Sequence, residues 1–111
     1  VKIYMPGYNM GIIDEPVKPV EKEHAYSVFP NPCRDNCTIM LELERSENVS
    51  VQIFDVTGRL VRDLVYADMD AGRNYITWNG KNNDSRDTSS GMYFIRLRNG
   101  NNSNILKLMK F

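Results

Sequence analysis

The 111-residue chain is long enough for one domain with a single modest hydrophobic core. Its 14 Lys and Arg side chains balance 14 Asp and Glu side chains, so net charge gives no reason to expect binding to nucleic acid or an anionic membrane. No apolar run reaches the roughly 18–20 residues of a membrane-spanning helix, and the first residues lack the pattern of a signal peptide. We therefore expect a fragment of a longer protein.

The first 24 residues differ in composition from the rest of the chain. Residues 1–13 mix aromatic, Met and Gly residues, and we expect either the end of a preceding domain or an extra strand on this one. Residues 14–24 are rich in Pro, Glu and Lys and contain no Phe, Tyr or Trp, which is typical of an extended linker. The domain itself is predicted to occupy residues 25–111.

From residue 25 onward, hydrophobic and polar residues alternate with the period of a β-strand. In TIMLELE, residues 38–44, Leu41 and the hydrophobic residues two positions away share one face. VSVQIFD, residues 49–55, repeats this pattern around Ile53. Several such runs, separated by Gly, Asn and Asp turns, predict an all-β sandwich of about seven strands.

Trp78 is either an exposed ring that binds a ligand such as a sugar or a buried ring that fills the sandwich. It follows Ile76 at strand spacing, whereas Tyr75 falls on the opposite face. A carbohydrate platform usually needs several exposed aromatic rings, and one buried aromatic removes ~150–250 Å² of surface from water. We therefore expect Trp78 in the core, together with Ile53 and Leu41.

The sequence shows no convergent set of catalytic residues. Serines cluster between residues 85 and 90, but the one histidine, His24, lies far away beside the predicted linker. Asp84 and Asp87 are weak candidates for a calcium site, since their loop lacks the spacing of a calcium-binding motif. Asn and Asp side chains that bond their own backbone explain this loop more simply. We expect no enzyme activity, no cofactor and no metal.

Cys33 and Cys37 are the two cysteines of the chain. With one histidine, they cannot complete a four-ligand zinc site, and their spacing is not that of a Cys-x-x-Cys redox motif. Two interpretations stay open. The residues are either small, partly buried hydrophobic side chains or the partners of a local disulfide formed in an oxidising compartment.

Four ordered blocks carry a resemblance to a known family: VFPNP at 28–32, VQIFDVTGRLVRDL at 51–64, AGRNYITWNGKNNDSRDTSSGMYFIRL at 71–97 and KLMKF at 107–111. Together they resemble the type A C-terminal sorting domain of the type IX (Por) secretion system, found on cargo proteins of the Bacteroidetes. They are also similar to the immunoglobulin-like domain of the flagellar hook-capping protein. The resemblance covers residues 26–111 and implies an all-β, immunoglobulin-like sandwich of about seven antiparallel strands.

The chain departs from the family pattern mainly in loops. Ser85 stands where Gly is usual in a turn, Thr88 where Val is frequent, and Asn79 where Asp usually follows the Trp. The two cysteines stand where relatives commonly have Phe and Thr. These departures affect expectations about loop geometry and ions more than expectations about the fold.

The resemblance implies a C-terminal secretion and cell-surface sorting signal of a larger secreted protein. The implied partners are the type IX machinery, a sortase-like peptidase that cleaves the linker near residues 14–25, and an upstream cargo domain of the same chain. The implied route runs through the periplasm to the outside of the cell or its surface. The alternative is a passive immunoglobulin-like spacer in a multidomain surface hydrolase or adhesin.

The implied recognition surface combines the PNP segment, the start of the SGMY strand and the C-terminal strand: Pro30, Asn31, Pro32, Ser90, Gly91, Tyr93, Lys107 and Lys110. Edge docking gives this surface a physical basis, because a terminal strand offers backbone donors and acceptors to a partner. Lys107 and Lys110 have a second interpretation, as charges that protect a sheet edge from unwanted pairing.

Overall fold

The computed structural model describes residues 25–111, which form seven antiparallel β-strands in two sheets. The strands are β1 (Tyr26–Phe29), β2 (Cys37–Leu43), β3 (Glu47–Asp55), β4 (Leu60–Met69), β5 (Gly72–Trp78), β6 (Gly91–Asn99) and β7 (Asn102–Lys110). One sheet has the order β1-β2-β5 and the other the order β4-β3-β6-β7. The predicted all-β, immunoglobulin-like sandwich is confirmed. The segments assigned to a preceding domain and a linker lie outside the described residues.

Alternate side chains of β2, β3, β5 and β6 point between the two sheets and form the core. The buried hydrophobic residues are Cys33, Cys37, Ile39, Leu41, Leu43, Val49, Val51, Ile53, Ile76, Trp78, Tyr93, Ile95, Leu97 and Leu108. Because the buried positions follow the period-two pattern strand by strand, the sequence pattern sets which face of each strand points inward.

Trp78 is the largest fully buried side chain in the described part of the chain, with 0% of its surface exposed. Its ring packs edge-on against Tyr93, with 5.7 Å between the ring centroids. The indole Nε1 donates a hydrogen bond to the Lys81 carbonyl at 2.9 Å, which satisfies its polar edge. Trp78 is therefore a core residue, and it does not offer its ring to a ligand.

The turn between β3 and β4 is closed by one carboxylate. Asp55 accepts hydrogen bonds from the hydroxyl and the amide of Thr57 and from the amide of Arg59. The Thr57 hydroxyl bond, aided by the other donors, lowers the pKa of Asp55 to about 2. Gly58 takes a φ of 89° in this turn, a conformation that glycine adopts without strain.

Both cysteines are buried free thiols in the core, each with 1% of its surface exposed. Burial, together with the neighbouring Cys33, raises the pKa of Cys37 to about 12. In this structure the pair acts as two small hydrophobic side chains, as in the first of the two interpretations. No helix in the described part of the chain is long and apolar enough to cross a membrane.

Candidate functional site

The PNP segment, the start of β6 and the end of β7 lie side by side at one end of the sandwich. We call this region the C-terminal corner and define it by residues 30–33, 88–93 and 107–111. Strand register brings β6 and β7 together, since Gly91 pairs with Lys110 and Tyr93 pairs with Leu108. The PNP segment approaches the other side of β7. The three blocks selected from the sequence thus form one continuous surface around the last strand.

Asn31 attaches the PNP segment to the outer edge of β7. Its side-chain Nδ2 donates to the Lys107 carbonyl at 3.0 Å, and its Oδ1 accepts from the Met109 amide at 2.9 Å. A carboxamide carries both a donor and an acceptor, so one side chain satisfies two edge groups of opposite polarity. This dual role explains why an amide side chain fits this position.

Cys33 continues the attachment with its backbone. Its amide donates to the Met109 carbonyl at 2.9 Å, and its carbonyl accepts from the Phe111 amide at 3.0 Å. A parallel β-bridge between Cys33 and Lys110 results. The outer edge at the end of β7 is therefore already paired within the domain, and a docking partner would have to use other groups of the corner.

Two of the predicted recognition residues are buried. Lys110 is 9% exposed and donates from Nζ to the Thr88 carbonyl at 2.9 Å, while Tyr93 is 4% exposed and donates from its hydroxyl to the Ser89 carbonyl at 2.6 Å. The interpretation of Lys110 as a guard of the sheet edge is therefore corrected, because strand alternation points its side chain inward. Both residues fix the backbone before β6 and offer little surface to a partner.

The exposed side chains of the corner come from all three blocks. Pro30, Asn31, Pro32, Ser90 and Lys107 are exposed, and Gly91 is half-buried. The last residue, Phe111, is 60% exposed, with the Arg34 guanidinium 5.2 Å from the centre of its ring. The sequence prediction included the KLMKF block but missed Phe111 as a surface group, although a terminal aromatic residue beyond the last strand was the available signal.

Gly80 is a structural residue beside the corner that the sequence prediction also missed. Its φ is 80°, and a Cβ added to it would lie 2.8 Å from the Asp35 carbonyl oxygen and 3.0 Å from Lys110 Cε. Its own carbonyl accepts hydrogen bonds from the amide and the hydroxyl of Thr88. Close approach of three chain segments therefore requires glycine here, and the Asn-Gly pair after Trp78 was its signal in the sequence.

Residues 82–87 form an amide-rich loop in which Asn82 bonds locally and Asn83 bonds to Val61 and Asp63 of β4. Asn82 Oδ1 accepts from the amides of Asp84 and Arg86. Asp87 forms an ion pair with Lys81 at 2.8 Å, and this hydrogen bond and charge hold the pKa of Asp87 below its usual value. Within residues 25–111, no group of three or more His, Cys, Asp or Glu side chains is arranged to hold a metal ion.

Comparison with known proteins identifies the family and the fold. Residues 27–110 match the family described as secretion system C-terminal sorting domain. Comparison with curated proteins gives no match. One similar solved structure is PorZ, an essential bacterial surface component of the type IX secretion system of Porphyromonas gingivalis. It has a TM-score of 0.58 and 24% identity, over 82% of this chain and 12% of that one.

A second similar structure is dimeric latent PorU from the same organism, with a TM-score of 0.61 and 22% identity, over 77% of this chain and 9% of that one. The chain thus spans about a tenth of either protein, and at these identities the two structures show that the fold is shared. The family match covers most of the chain and includes every strand of the sandwich except part of β1. The chain therefore belongs to the secretion system C-terminal sorting domain family, which serves type IX secretion and implies a secreted or cell-surface protein.

Proposed function

We propose that the C-terminal corner is the surface through which the type IX machinery recognises this domain, and that the domain has no catalytic role of its own. The observation that carries this proposal is the attachment of the PNP segment to β7 by Asn31 and Cys33. It joins two blocks that lie at opposite ends of the domain sequence. The recognised feature is then a folded surface, and a linear C-terminal tail would lack it.

The different burial of the corner residues supports this proposal. Tyr93 and Lys110 are buried and hold the segment before β6 in place, whereas Ser90, Lys107 and Phe111 are exposed on the resulting surface. Pre-positioned contact groups reduce the ordering entropy lost when a partner binds. We expect the exposed residues to contact the machinery and the buried ones to keep that surface in shape.

The remaining parts of the proposal concern the longer protein. An upstream cargo would cross the inner membrane, reach the periplasm and be exported to the outside or the surface of the cell by virtue of this domain. A sortase-like peptidase would then cleave near residues 14–25, where an extended Pro- and Glu-rich segment suits a protease cleft.

A secretion assay tests the proposal. Residues 1–111 are fused behind a signal peptide and a fluorescent reporter and produced in a host with a type IX system and in a machinery mutant of that host. We expect the reporter outside the wild-type cells and inside the mutant cells. Retention in the periplasm of both strains would contradict the proposal and support the passive spacer.

Matched variants test the role of the corner. Ser90→Glu with Phe111→Ser changes two exposed positions of the corner, whereas Ser46→Glu with Tyr66→Ser makes similar changes at exposed positions away from it. The corner pair should lower export by at least about tenfold, as expected for contact residues, and the distant pair should not. Equal export by both pairs would overturn the assignment of the corner.

A further inference from the structure

Charge is distributed unevenly within the four-stranded sheet, although the whole chain is balanced. The acidic residues of this sheet, Glu47, Asp55, Asp63 and Asp68, all lie on β3 and β4. The sequences of β6 and β7 contain no Asp or Glu and four cationic residues. Because Tyr93, Ile95 and Leu97 point inward, Arg96 and Arg98 point outward, as does Lys107 on the neighbouring strand. The outer surface of these two strands therefore carries three positive charges and no carboxylate.

An apolar hollow lies on the same surface, beside the β3–β4 turn. Its volume is about 280 Å³, and its apolar lining comes from Phe54, Val56, Phe94 and Ile105. Asp55 also lines it, but its carboxylate is already bonded to Thr57 and Arg59. Val56 and Ile105 are 65% and 62% exposed. We call the surface formed by Phe54, Phe94, Ile105 and the three outward cations the cationic outer face. Exposed apolar groups surrounded by charge are typical of surfaces that bind partners.

Arg96 connects the hollow with the charges. Its guanidinium lies 4.9 Å from the centre of the Phe54 ring, and it donates a hydrogen bond to Gln52 Oε1. Its Nε is buried and has no hydrogen-bond partner among the described residues. Because this Nε is closed to solvent, an incoming carboxylate would contact the terminal nitrogens of the guanidinium.

The outer face of the other sheet provides a contrast. It also exposes an aromatic residue, Tyr75, at 60%. There, however, Arg73 lies 4.0 Å from the Glu42 carboxylate across β2 and β5, so the two charges offset each other. Exposed apolar groups are thus present on both sheets, but Arg96, Arg98 and Lys107 form no ion pair within residues 25–111. The carboxylate of Asp63, on the same sheet, accepts a hydrogen bond from Gln52.

We infer that the cationic outer face binds an acidic protein segment, which inserts an apolar side chain between Phe54, Phe94 and Ile105 and sets carboxylates against Arg96, Arg98 and Lys107. The inference rests on the proposed function in that this face would be a second contact surface of the exported domain, separate from the C-terminal corner. A protein partner fits better than an anionic lipid surface, because a concave apolar hollow can hold one side chain of a protein. The face carries three cations, whereas lipid-binding clusters carry about 4–8.

Peptide binding tests the inference directly. The probe is a fluorescent peptide with one Phe between two pairs of Glu, and the control peptide has Lys in place of Glu. The 111-residue chain should bind the acidic probe, and this binding should weaken as salt is added. Binding of both peptides alike, or of neither, would overturn the inference.

Paired variants locate the binding face. Arg98→Glu with Ile105→Ser alters the cationic outer face, whereas Arg73→Glu with Tyr75→Ser makes equivalent changes on the other sheet. The first pair should raise the Kd for the acidic probe at least about fivefold, and the second should leave it unchanged. Equal effects of the two pairs would contradict the inference. Far-UV circular dichroism and thermal unfolding confirm that each pair is folded.

Vesicle binding distinguishes a protein partner from a lipid surface, and the secretion assay tests the proposed function separately. Binding of the chain to phosphatidylglycerol vesicles, lost in the first pair and stronger than binding to the acidic probe, would overturn the inference in favour of a lipid surface. In the secretion assay, a wild-type reporter that is not exported contradicts the proposed function, whatever the peptide result. An exported wild type with undiminished export of the first pair contradicts a role for this face in export.

Discussion

The C-terminal corner and the amide-rich loop use the same side-chain chemistry over very different distances along the chain. In the corner, Asn31 bonds to groups 76 and 78 positions away. In the loop, Asn82 accepts from amides two and four positions away. Local bonds close a turn, whereas long-range bonds fix where the last strand lies. Substitution of Asn31 should therefore disturb the C-terminal strand, and substitution of Asn82 should act on the loop.

The largest expected effect is on the chemical reactivity of the Cys37 thiol. Raising the pKa of Cys37 from 9.0 to about 12 lowers its thiolate fraction at pH 8 by about a thousandfold. Alkylation of Cys37 should therefore be slower in the folded chain than in urea, by on the order of a hundredfold or more. Mass spectrometry of tryptic peptides measures the alkylation rate of each cysteine, because cleavage after Arg34 separates Cys33 from Cys37.

Two results would contradict the assignment of Cys33 and Cys37 as buried free thiols. Labelling of Cys37 at the same rate in buffer and in urea would show that it is not buried. Failure to label either cysteine in urea until a reductant is added would show that a disulfide joins them.

Among the substitutions proposed to test stability, Gly80→Ala should cause the largest loss. The added methyl group would overlap the Asp35 carbonyl oxygen at 2.8 Å, and alanine would be strained at a φ of 80°. We expect a loss of about 2–3 kcal/mol in the free energy of unfolding, measured by urea denaturation followed by Trp78 fluorescence.

Gly58→Ala is the matched control, because its φ is 89° and nothing lies within 4 Å of the added Cβ. Backbone strain without steric overlap should lower the free energy of unfolding by about 1 kcal/mol. An equal loss in both variants would show that the close approach at Gly80 has no energetic weight.

Asn31→Ala should have a smaller effect, since it removes two hydrogen bonds at an exposed position. We expect a loss of about 1 kcal/mol in the free energy of unfolding, together with faster exchange of the Met109 amide hydrogen. Asn31→Asp keeps the acceptor for that amide but loses the donor to the Lys107 carbonyl. If Asn31→Ala left both stability and exchange unchanged, the PNP segment would not hold the last strand.

Ser85→Gly should produce the smallest change in the free energy of unfolding, and this change should be a gain. Ser85 has a φ of 63°, in the left-handed region that glycine occupies without strain. The substitution should raise the free energy of unfolding by about 0.5 kcal/mol in the same urea titration. Ser85→Ala keeps the strain and should give no gain. A loss of stability in Ser85→Gly would mean that the serine side chain stabilises the loop.

Much of the fold is predictable because strand alternation is a local property of the sequence. Leu41, Ile53 and Trp78 each stand at a position where polar residues alternate with hydrophobic ones, and all three are buried. The departure from glycine at Ser85 also marked a position that takes positive φ. In each case neighbouring residues along the chain carry the information.

The features that escaped prediction depend on residues that are distant in sequence. Lys110 lies on the inward face of β7 with Leu108, and the acceptor for its buried ammonium is the Thr88 carbonyl, 22 positions away. The need for glycine at residue 80 depends on where the Asp35 carbonyl lies. The cationic outer face emerges only when strand register places Phe54 opposite Phe94. Contacts between segments that are distant along the chain contribute to each of these features.

Amide hydrogen exchange of Met109 and Phe111 tests most directly the claim that the C-terminal corner is one folded unit. These amides bond to Asn31 Oδ1 and to the Cys33 carbonyl. We predict that both exchange at least about 100-fold more slowly than in an unstructured peptide and that Asn31→Ala removes the protection of Met109. Exchange of both amides at the unstructured rate in the wild-type chain would contradict the account, because β7 would then end in a free edge.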